Sequence, residues 1–357
     1  MKDITLLMTG VGGPGALGYI YSLQKNGERS IRFIGTDISD QVDPATRQQL
    51  AAFFRIPRAG TDAYLPALLT LCRAQSVDVL LPLNTVELDC LSMHRRQFEA
   101  FGTRICVPDW EQLMVINNKS KLLAKLKTLG IKTPAFYSVG TVPDFEAASK
   151  ALGFPQRPIV VKRPDGNGSR GLRFLDASVS NAALFLDQKP RSAYISYTAM
   201  LEMLPEVFER TSLIVMEMLS GQEYSVDSFA DHGRTVRSVC RHVDVIEDSN
   251  DVDATIDQQA DVLQYCGRIN AALRLDGVIG YGIKRNAEGL PRILEINPRL
   301  QATTILSVIG GVNYPYAIVK KALGEPVELP EPMEGIRTLQ RKQRLFYAPD
   351  GQLLLSL

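Results

Sequence analysis

Apolar and polar positions along the first hundred residues fall into two alternating patterns. Residues 4–8 (ITLLM) form a short apolar run that reads as a strand, followed by a glycine-rich turn at 10–15 and a helix over 16–25. A second strand spans 31–36 and closes at Asp37. Helices are predicted over 64–74 and 87–101, a buried strand over 77–82 and a further strand over 104–107. Strand and helix alternate through short links, which predicts a parallel, doubly wound α/β sheet. The first apolar run is too short to span a membrane, and no small-residue cleavage site follows it.

Pro108-Asp109 marks a boundary. A helix over 119–129 ends at Gly130 as its C-cap, and an extended stretch begins at Thr133-Pro134. Strands at 158–163 and 172–175 flank a glycine-rich loop, 164–171. Residues 213–218 and 224–230 read as another strand pair, and 258–273 as a helix. Strands at 278–285 and 292–297 make a hairpin around Ala287-Glu288-Gly289, and a helix over 310–323 closes the recognisable core. The remaining residues read as a Pro-rich linker and an edge strand.

Composition narrows the function classes. The 357 residues carry 40 Lys and Arg against 39 Asp and Glu, a net charge of +1. That balance gives no reason to expect nucleic acid or an anionic membrane as partner, and leaves room for a local basic site. Five cysteines lie scattered without CxxC spacing, which fits reduced thiols in a cytoplasmic protein better than disulfides or zinc. The three histidines are far apart in sequence.

Four segments carry candidate chemistry. The first is TGVGGPG, residues 9–15, between a strand and a helix, with Gly12 and Gly13 at its centre. Its glycines let the backbone approach an anion at a helix N-terminus, and Asp37 sits where a dinucleotide fold places its ribose acid. Alone this suggests NAD, against a tight turn that merely needs glycine. The second is VVKRPDGNGSRG, residues 160–171. Its loop joins strand to strand and lacks the GK[ST] ending of a P-loop, yet can fold over phosphates beside Lys162. The third is Glu295-Ile296-Asn297-Pro298-Arg299. On a strand Glu295 and Asn297 share a face, and paired oxygen ligands suit Mg²⁺, with Arg299 in reach of a transferring phosphoryl group. The fourth is the apolar strand 214–219, followed by Gly221 and Glu223: main-chain groups for a base, and a carboxylate for ribose hydroxyls.

In this order and spacing the segments resemble the ATP-grasp superfamily, and within it the carboxylate–amine ligases related to the carbamoyl phosphate synthase large subunit. The resemblance runs from TGVGGPGALG to about Gly324, through IVVKRPDGNGSRGLRF, LIVMEMLSGQEYSVD, ILEINPRLQATT and IGGVNYPYAIVKKALGE. It implies a Rossmann-like sheet over 1–110, then a two-lobed α+β ATP-grasp domain over 111–325, with a small lobe at 111–212 and a large lobe at 213–325. A tail follows over 326–357. It implies ATP and Mg²⁺ as cofactors and small-molecule acid and amine substrates; a homodimer is expected only as the commonest assembly of soluble proteins. Lys119 and Lys162 would touch phosphates. Gly166, Gly168, Ser169, Arg170 and Gly171 would form the lid. Glu217, Met218 and Leu219 would hold adenine, and Glu223 the ribose. Glu295 and Asn297 would bind Mg²⁺, and Arg299 would be catalytic. Gly12, Gly13 and Arg241 would meet substrate.

Two departures stand out. Gly282 occupies a position where the family carries a further metal ligand, and Lys284, two residues on along the same strand face, is expected to supply charge near the phosphates as a second catalytic group. After Arg241 comes the acidic run VDVIEDSNDVDATID instead of a hydroxyl-rich stretch. The reading is therefore an ATP-dependent carboxylate–amine ligase, with two alternatives: an ATP-binding relative with impaired catalysis and a regulatory role, and an NAD-dependent oxidoreductase.

Overall fold

The computed structural model describes the chain except residues 167, 169, 188–191, 248–249, 340–344, 348–352 and 357. The N-terminal part runs β1 (Ile4–Thr9), α1 (Ala16–Gln24), β2 (Ile31–Asp37), α2 (Pro44–Gln48), β3 (Ala52–Arg55), α3 (Tyr64–Ala74), β4 (Val79–Pro82), α4 (Thr85–Met93), α5 (Arg95–Glu99) and β5 (Arg104–Ile105). The five strands pair in parallel in the order β3-β2-β1-β4-β5. Leu6, Leu7 and Met8 are fully buried because helices cover both faces of such a sheet, which is why the run is apolar without alternation. The helix expected over 87–101 is two: it begins at Thr85 and breaks at His94, whose amide closes the turn onto Cys90 O.

Helices α6 (Trp110–Ile116) and α7 (Lys119–Thr128) follow. The Asn118 side chain caps α7 by accepting from the Lys121 amide at 3.0 Å. Next come β6 (Phe136–Val139), α8 (Val142–Ala151), β7 (Ile159–Lys162), β8 (Leu172–Leu175), α9 (Asn181–Leu186), α10 (Tyr197–Phe208) and β9 (Leu213–Glu217). Their strands form an antiparallel sheet, β6-β9-β7-β8, covered by α8 and α10 through Phe145, Met200 and Leu204.

The rest builds a six-stranded antiparallel sheet, β14-β13-β10-β11-β12-β15. Its elements are β10 (Glu223–Asp231), β11 (Arg234–Glu247), β12 (Asn250–Ile256), α11 (Ala260–Leu273), β13 (Gly277–Arg285), β14 (Pro291–Asn297), α12 (Thr304–Ile309), α13 (Tyr314–Ala322) and the edge strand β15 (Arg337–Leu339). A separate hairpin pairs β16 (Leu345–Tyr347) with β17 (Leu353–Ser356).

Two expectations change. Strands β9 and β10 are not a pair: β9 lies in the four-stranded sheet and β10 in the six-stranded one. Gly221 turns the link, its amide donating to Arg285 O at 3.0 Å, where a side chain would strike Arg285. The acidic run after Arg241 forms much of the β11–β12 hairpin, and its Asp253 is clamped by Arg337 of β15. The closing helix starts at Tyr314, not at 310, because Gly311 adopts a left-handed φ of 100° between α12 and α13.

Candidate functional site

Connections leave β1 and β4 toward opposite sides of the sheet, so a crevice opens beyond their C-terminal ends. A cavity of about 350 Å³ lies there. The glycine loop after β1 and Asn84 after β4 form one wall. Glu295, Asn297 and Arg299 at the end of β14 form the opposite wall, and Gly168 and Arg170 of the loop between β7 and β8 reach it as well. Three segments read from sequence as glycine loop, lid and metal face thus meet in one space.

Charge is concentrated at the β14 side. Lys119, the first residue of α7, places its Nζ 3.2 Å from Glu295 Oε2 and donates to Gly166 O at 2.5 Å. Lys162, at the end of β7, is buried and donates to Leu294 O at 3.0 Å. Burial lowers the Lys162 ammonium to about 8, helped by the nearby Lys119 and opposed by Glu295. Burial works against the Glu295 carboxylate, yet Lys119, Lys162 and the Asn297 amide outweigh it and hold the group below its ordinary value. Asn297 Nδ2 donates to Glu295 Oε1 at 3.1 Å, so the pair is already convergent. Two ammoniums around one carboxylate leave a surplus of positive charge, and Lys119 rests where a cation would sit on Glu295. The donor set therefore fits Mg²⁺ with nucleotide phosphates.

The lid is a hairpin loop whose register closes at Lys162 opposite Leu172. Gly168 and Gly171 adopt φ of 61° and 73°, and a Cβ at Gly166 or Gly171 would meet Arg170 O or the Arg163 side chain. Ser169 lies outside the described residues. Next to the lid, Val160, Ile214 and Met216 make a small apolar cluster with Phe174, Met218 and Leu294, which spans the gap between the two antiparallel sheets. Glu217 donates its amide to Ala135 O at 3.0 Å and accepts the Ala135 amide on its carboxylate Oε1 at 2.7 Å, so its amide is already spent. Leu219 is buried at the turn.

Other placements differ from expectation. Lys284 sits opposite Glu223, and its Nζ is 3.3 Å from Glu223 Oε2. The neighbouring carboxylate draws it to the expected ribose acid, and Lys284 does not line the cavity. Arg241 does not face substrate. It is fully buried beneath the floor, where it pairs with Asp227 and donates to Ser307 Oγ at 2.9 Å and Ser225 Oγ at 2.9 Å. Gly12 is turned away as well: its amide donates to Asp37 Oδ2 at 2.9 Å, and Gly13 alone of the two lines the cavity. Gly282 stands directly across the strand pair from Glu295.

The sequence reading missed Asn84, Thr85, Glu87 and Tyr19. Thr85 Oγ1 accepts from Arg299 Nε at 2.9 Å across 214 residues of sequence. Glu87 accepts from Thr9 Oγ1 at 2.6 Å, from Asn84 N at 3.2 Å and from the Tyr64 hydroxyl. Burial raises its carboxyl despite these bonds. The Asn84-x-x-Glu87 spacing is a capping-box signal that marks the helix start.

The family model described as ATP-grasp in the biosynthetic pathway with Ter operon matches residues 209–344, and PylC-like, N-terminal domain matches residues 6–106. No curated protein matches the chain in sequence. Among solved structures, the biotin carboxylase domain dimer of 2-oxoglutarate carboxylase from Hydrogenobacter thermophilus, with MgADP, ADP and bicarbonate, superposes with a TM-score of 0.69 at 16% identity, covering 95% of this chain and 73% of that one. The N5-carboxyaminoimidazole synthetase from Staphylococcus aureus, complexed with ADP, has a TM-score of 0.66 at 16% identity, with 93% and 80% covered. The L-amino acid ligase from Bacillus licheniformis has a TM-score of 0.67 at 14% identity, with 92% and 76% covered. Among the described residues, no helix is long and apolar enough to cross a membrane.

Proposed function

We propose that this chain is an ATP-grasp protein that joins a carboxylate to an amine using ATP, through an acyl phosphate, and releases ADP and phosphate; the fold and the family match over residues 209–344 support this reading. The observation that carries the reading is the single cavity in which the glycine loop, the lid and the Glu295–Asn297–Arg299 face meet.

In this reading adenine lies against the apolar cluster around Val160 and Leu294, with Glu223 toward the ribose. Lys162 and Lys119 take the phosphates, and the loop from Gly166 to Gly171 closes over them. Glu295 and Asn297 would hold Mg²⁺, which supplies neutralising charge at the phosphate oxygens when bound. A carboxylate oxygen of the acid attacks the γ-phosphorus and ADP leaves. The amine nitrogen then attacks the acyl carbon, the C–O bond to phosphate breaks, and the amine loses a proton. Arg299, held at its Nε by Thr85, steadies the transferred phosphoryl group. Lid closure keeps water from the acyl phosphate.

The reading includes a cytoplasmic location, which suits cysteines that are all free and mostly buried, and a homodimer, checked by light scattering. Its test is a screen of acid and amine pairs for ADP release with Mg²⁺. Release that needs both partners supports it; tight ATP binding with no release from any pair refutes it in favour of the second reading, an ATP-binding relative with impaired catalysis. One observation favours that second reading, the missing ligand at Gly282. A Cβ there would lie 3.4 Å from Glu295 Cγ, so a side chain fits. Gly282→Gln is expected to tighten Mg²⁺ dependence of nucleotide binding, read by titration calorimetry.

A further inference from the structure

A second cavity, of about 200 Å³, lies between the N-terminal parallel sheet and the six-stranded sheet. It runs beside β5, the edge strand of the parallel sheet, and is closed from the other side by the start of β13 and the end of α13. The glycine loop and the lid take no part in its wall. Among the described residues, Arg299 alone lines both this cavity and the crevice, so it stands between them.

Much of its wall is apolar: Leu81, Cys106, Val278 and Leu300 are buried there, and Ile318 and Ala322 of α13 complete the surface. Its charged groups are unequally engaged. Asp276 is held by Lys321 at 3.0 Å, and the same ammonium meets Asp231 at 3.1 Å. Arg95 is fixed past the end of β5, where it donates to Val107 O at 2.6 Å and stands 3.5 Å from Asp109 Oδ1. Two cations are less committed. Among the described residues, the Arg104 guanidinium meets only Glu99, at 3.7 Å, longer than a hydrogen bond. Arg299 uses Nε on Thr85 and Nη1 on Leu300 O, and its Nη2 has no hydrogen-bond partner among the described residues. Arg104 and Cys106, two residues apart along an extended chain, share a face, so the first of these cations borders the apolar wall.

We propose that this cavity is a second ligand site, for a small organic anion with an apolar body, and that an anion bound there competes with the nucleotide for Arg299. An apolar cavity of about 150 Å³ takes a benzene ring, so this one has room for such a body and a carboxylate. Arg104 and Arg299 supply the counter-charge, and the buried wall supplies apolar contact at a boundary between sheets, where ligand pockets are common. An uncharged molecule of the same shape leaves the two arginines unanswered. The guanidinium that steadies the transferred phosphoryl group in the ligase reading is shared with this cavity, so the bound anion lowers affinity for a triphosphate. That second half of the proposal rests on the nucleotide reading of the crevice.

The test uses the whole chain and reads binding rather than turnover. Benzoate is titrated calorimetrically, with benzyl alcohol as an uncharged probe of the same shape. Benzoate is expected to bind, and benzyl alcohol about tenfold more weakly or worse. Arg104→Met is expected to weaken benzoate by about ten- to a hundredfold, the size of a hydrogen bond between charged groups. Ala322→Leu fills the cavity without touching a charge, and is expected to act in the same direction. Neither residue lines the crevice, so benzoate lodged there would be blind to both changes. For the same reason, unchanged affinity for Mg²⁺ with a non-hydrolysable ATP analogue reports that the variants are folded. In wild type, saturating benzoate should weaken the analogue by about fivefold or more, and the analogue should weaken benzoate by the same factor. The proposal is overturned if benzoate does not bind, if benzyl alcohol binds as well, if both variants bind benzoate like wild type, or if benzoate leaves analogue affinity unchanged. Benzoate binding that meets these conditions, with no ADP release from any acid and amine pair, would leave the site standing and remove the ligase reading. ADP release with no benzoate effect would do the reverse.

Discussion

Lys162 is the side chain whose environment makes the sharpest demand. Its ammonium is buried with one carbonyl as acceptor, and its proton is held with a value of about 8 against an ordinary 10.5. The unfolded chain therefore keeps that proton over a range where the folded one gives it up. Stability of the nucleotide-free protein should rise from about pH 8 toward 10.5, as the cost of the buried charge is relieved. ATP affinity should fall over the same range, because the phosphates lose their cation. Lys162→Met should flatten both profiles, melting temperature and ATP dissociation constant alike. Parallel profiles in mutant and wild type would remove Lys162 from the phosphate site. Lys162, Glu295, Asn297 and Arg299 could be singled out in the sequence because each sits in a contiguous string, and strand period puts Glu295 and Asn297 on one face. Tyr19 and Thr85 could not, because what gives them meaning is a cavity and a partner brought close by folding.

Among the elements, α4 does the least obvious work. Its first residue holds Arg299, and its Glu87 ties the helix start to Thr9 of β1 and Tyr64 of α3. Thr85→Val should lower kcat about tenfold with the ATP dissociation constant unchanged, while Thr85→Ser retains activity, because only the hydroxyl orients the guanidinium. Equal kcat in Thr85→Val would show that Arg299 needs no such anchor. The strands β10 and β11 carry a different risk. Their buried Arg241–Asp227 pair also engages Ser307 and Thr304, so it joins the sheet to α12. Arg241→Met strands the carboxylate and should cost about 3–5 kcal/mol in denaturant unfolding, partly recovered when Asp227→Asn is added. Alternation of apolar residues announced these strands but not their partners. The pairing of β9 with β10 failed because two adjacent strand-like runs look alike whether they share a sheet or, as here, Gly221 sends them to different ones. The β11–β12 hairpin was hidden because charged residues dominate the run that forms it.

At the scale of the molecule, three sheets contribute to one space, and a single lysine connects two of the segments that meet beside it. Lys119 bridges the lid, through Gly166 O, and the metal face, through Glu295. Before nucleotide arrives, it occupies the carboxylate that a metal needs. In the proposed reading, phosphates that draw Lys119 away would also vacate Glu295, so nucleotide and metal would be thermodynamically coupled through one side chain, and the coupling would be reciprocal. Mg²⁺ alone should bind weakly to wild type and much more tightly once an ATP analogue is present. In Lys119→Met the metal should bind the free protein more tightly than in wild type, and the analogue should bring a smaller further gain. Calorimetric titrations of Mg²⁺ with and without analogue would give both terms, and an equal gain in the two proteins would show that the lysine carries none of it. The contact has a consequence for order of events: in the proposed reading, an ammonium that guards Glu295 would make the nucleotide the admission ticket for its own metal, and the same exchange would free the loop at Gly166.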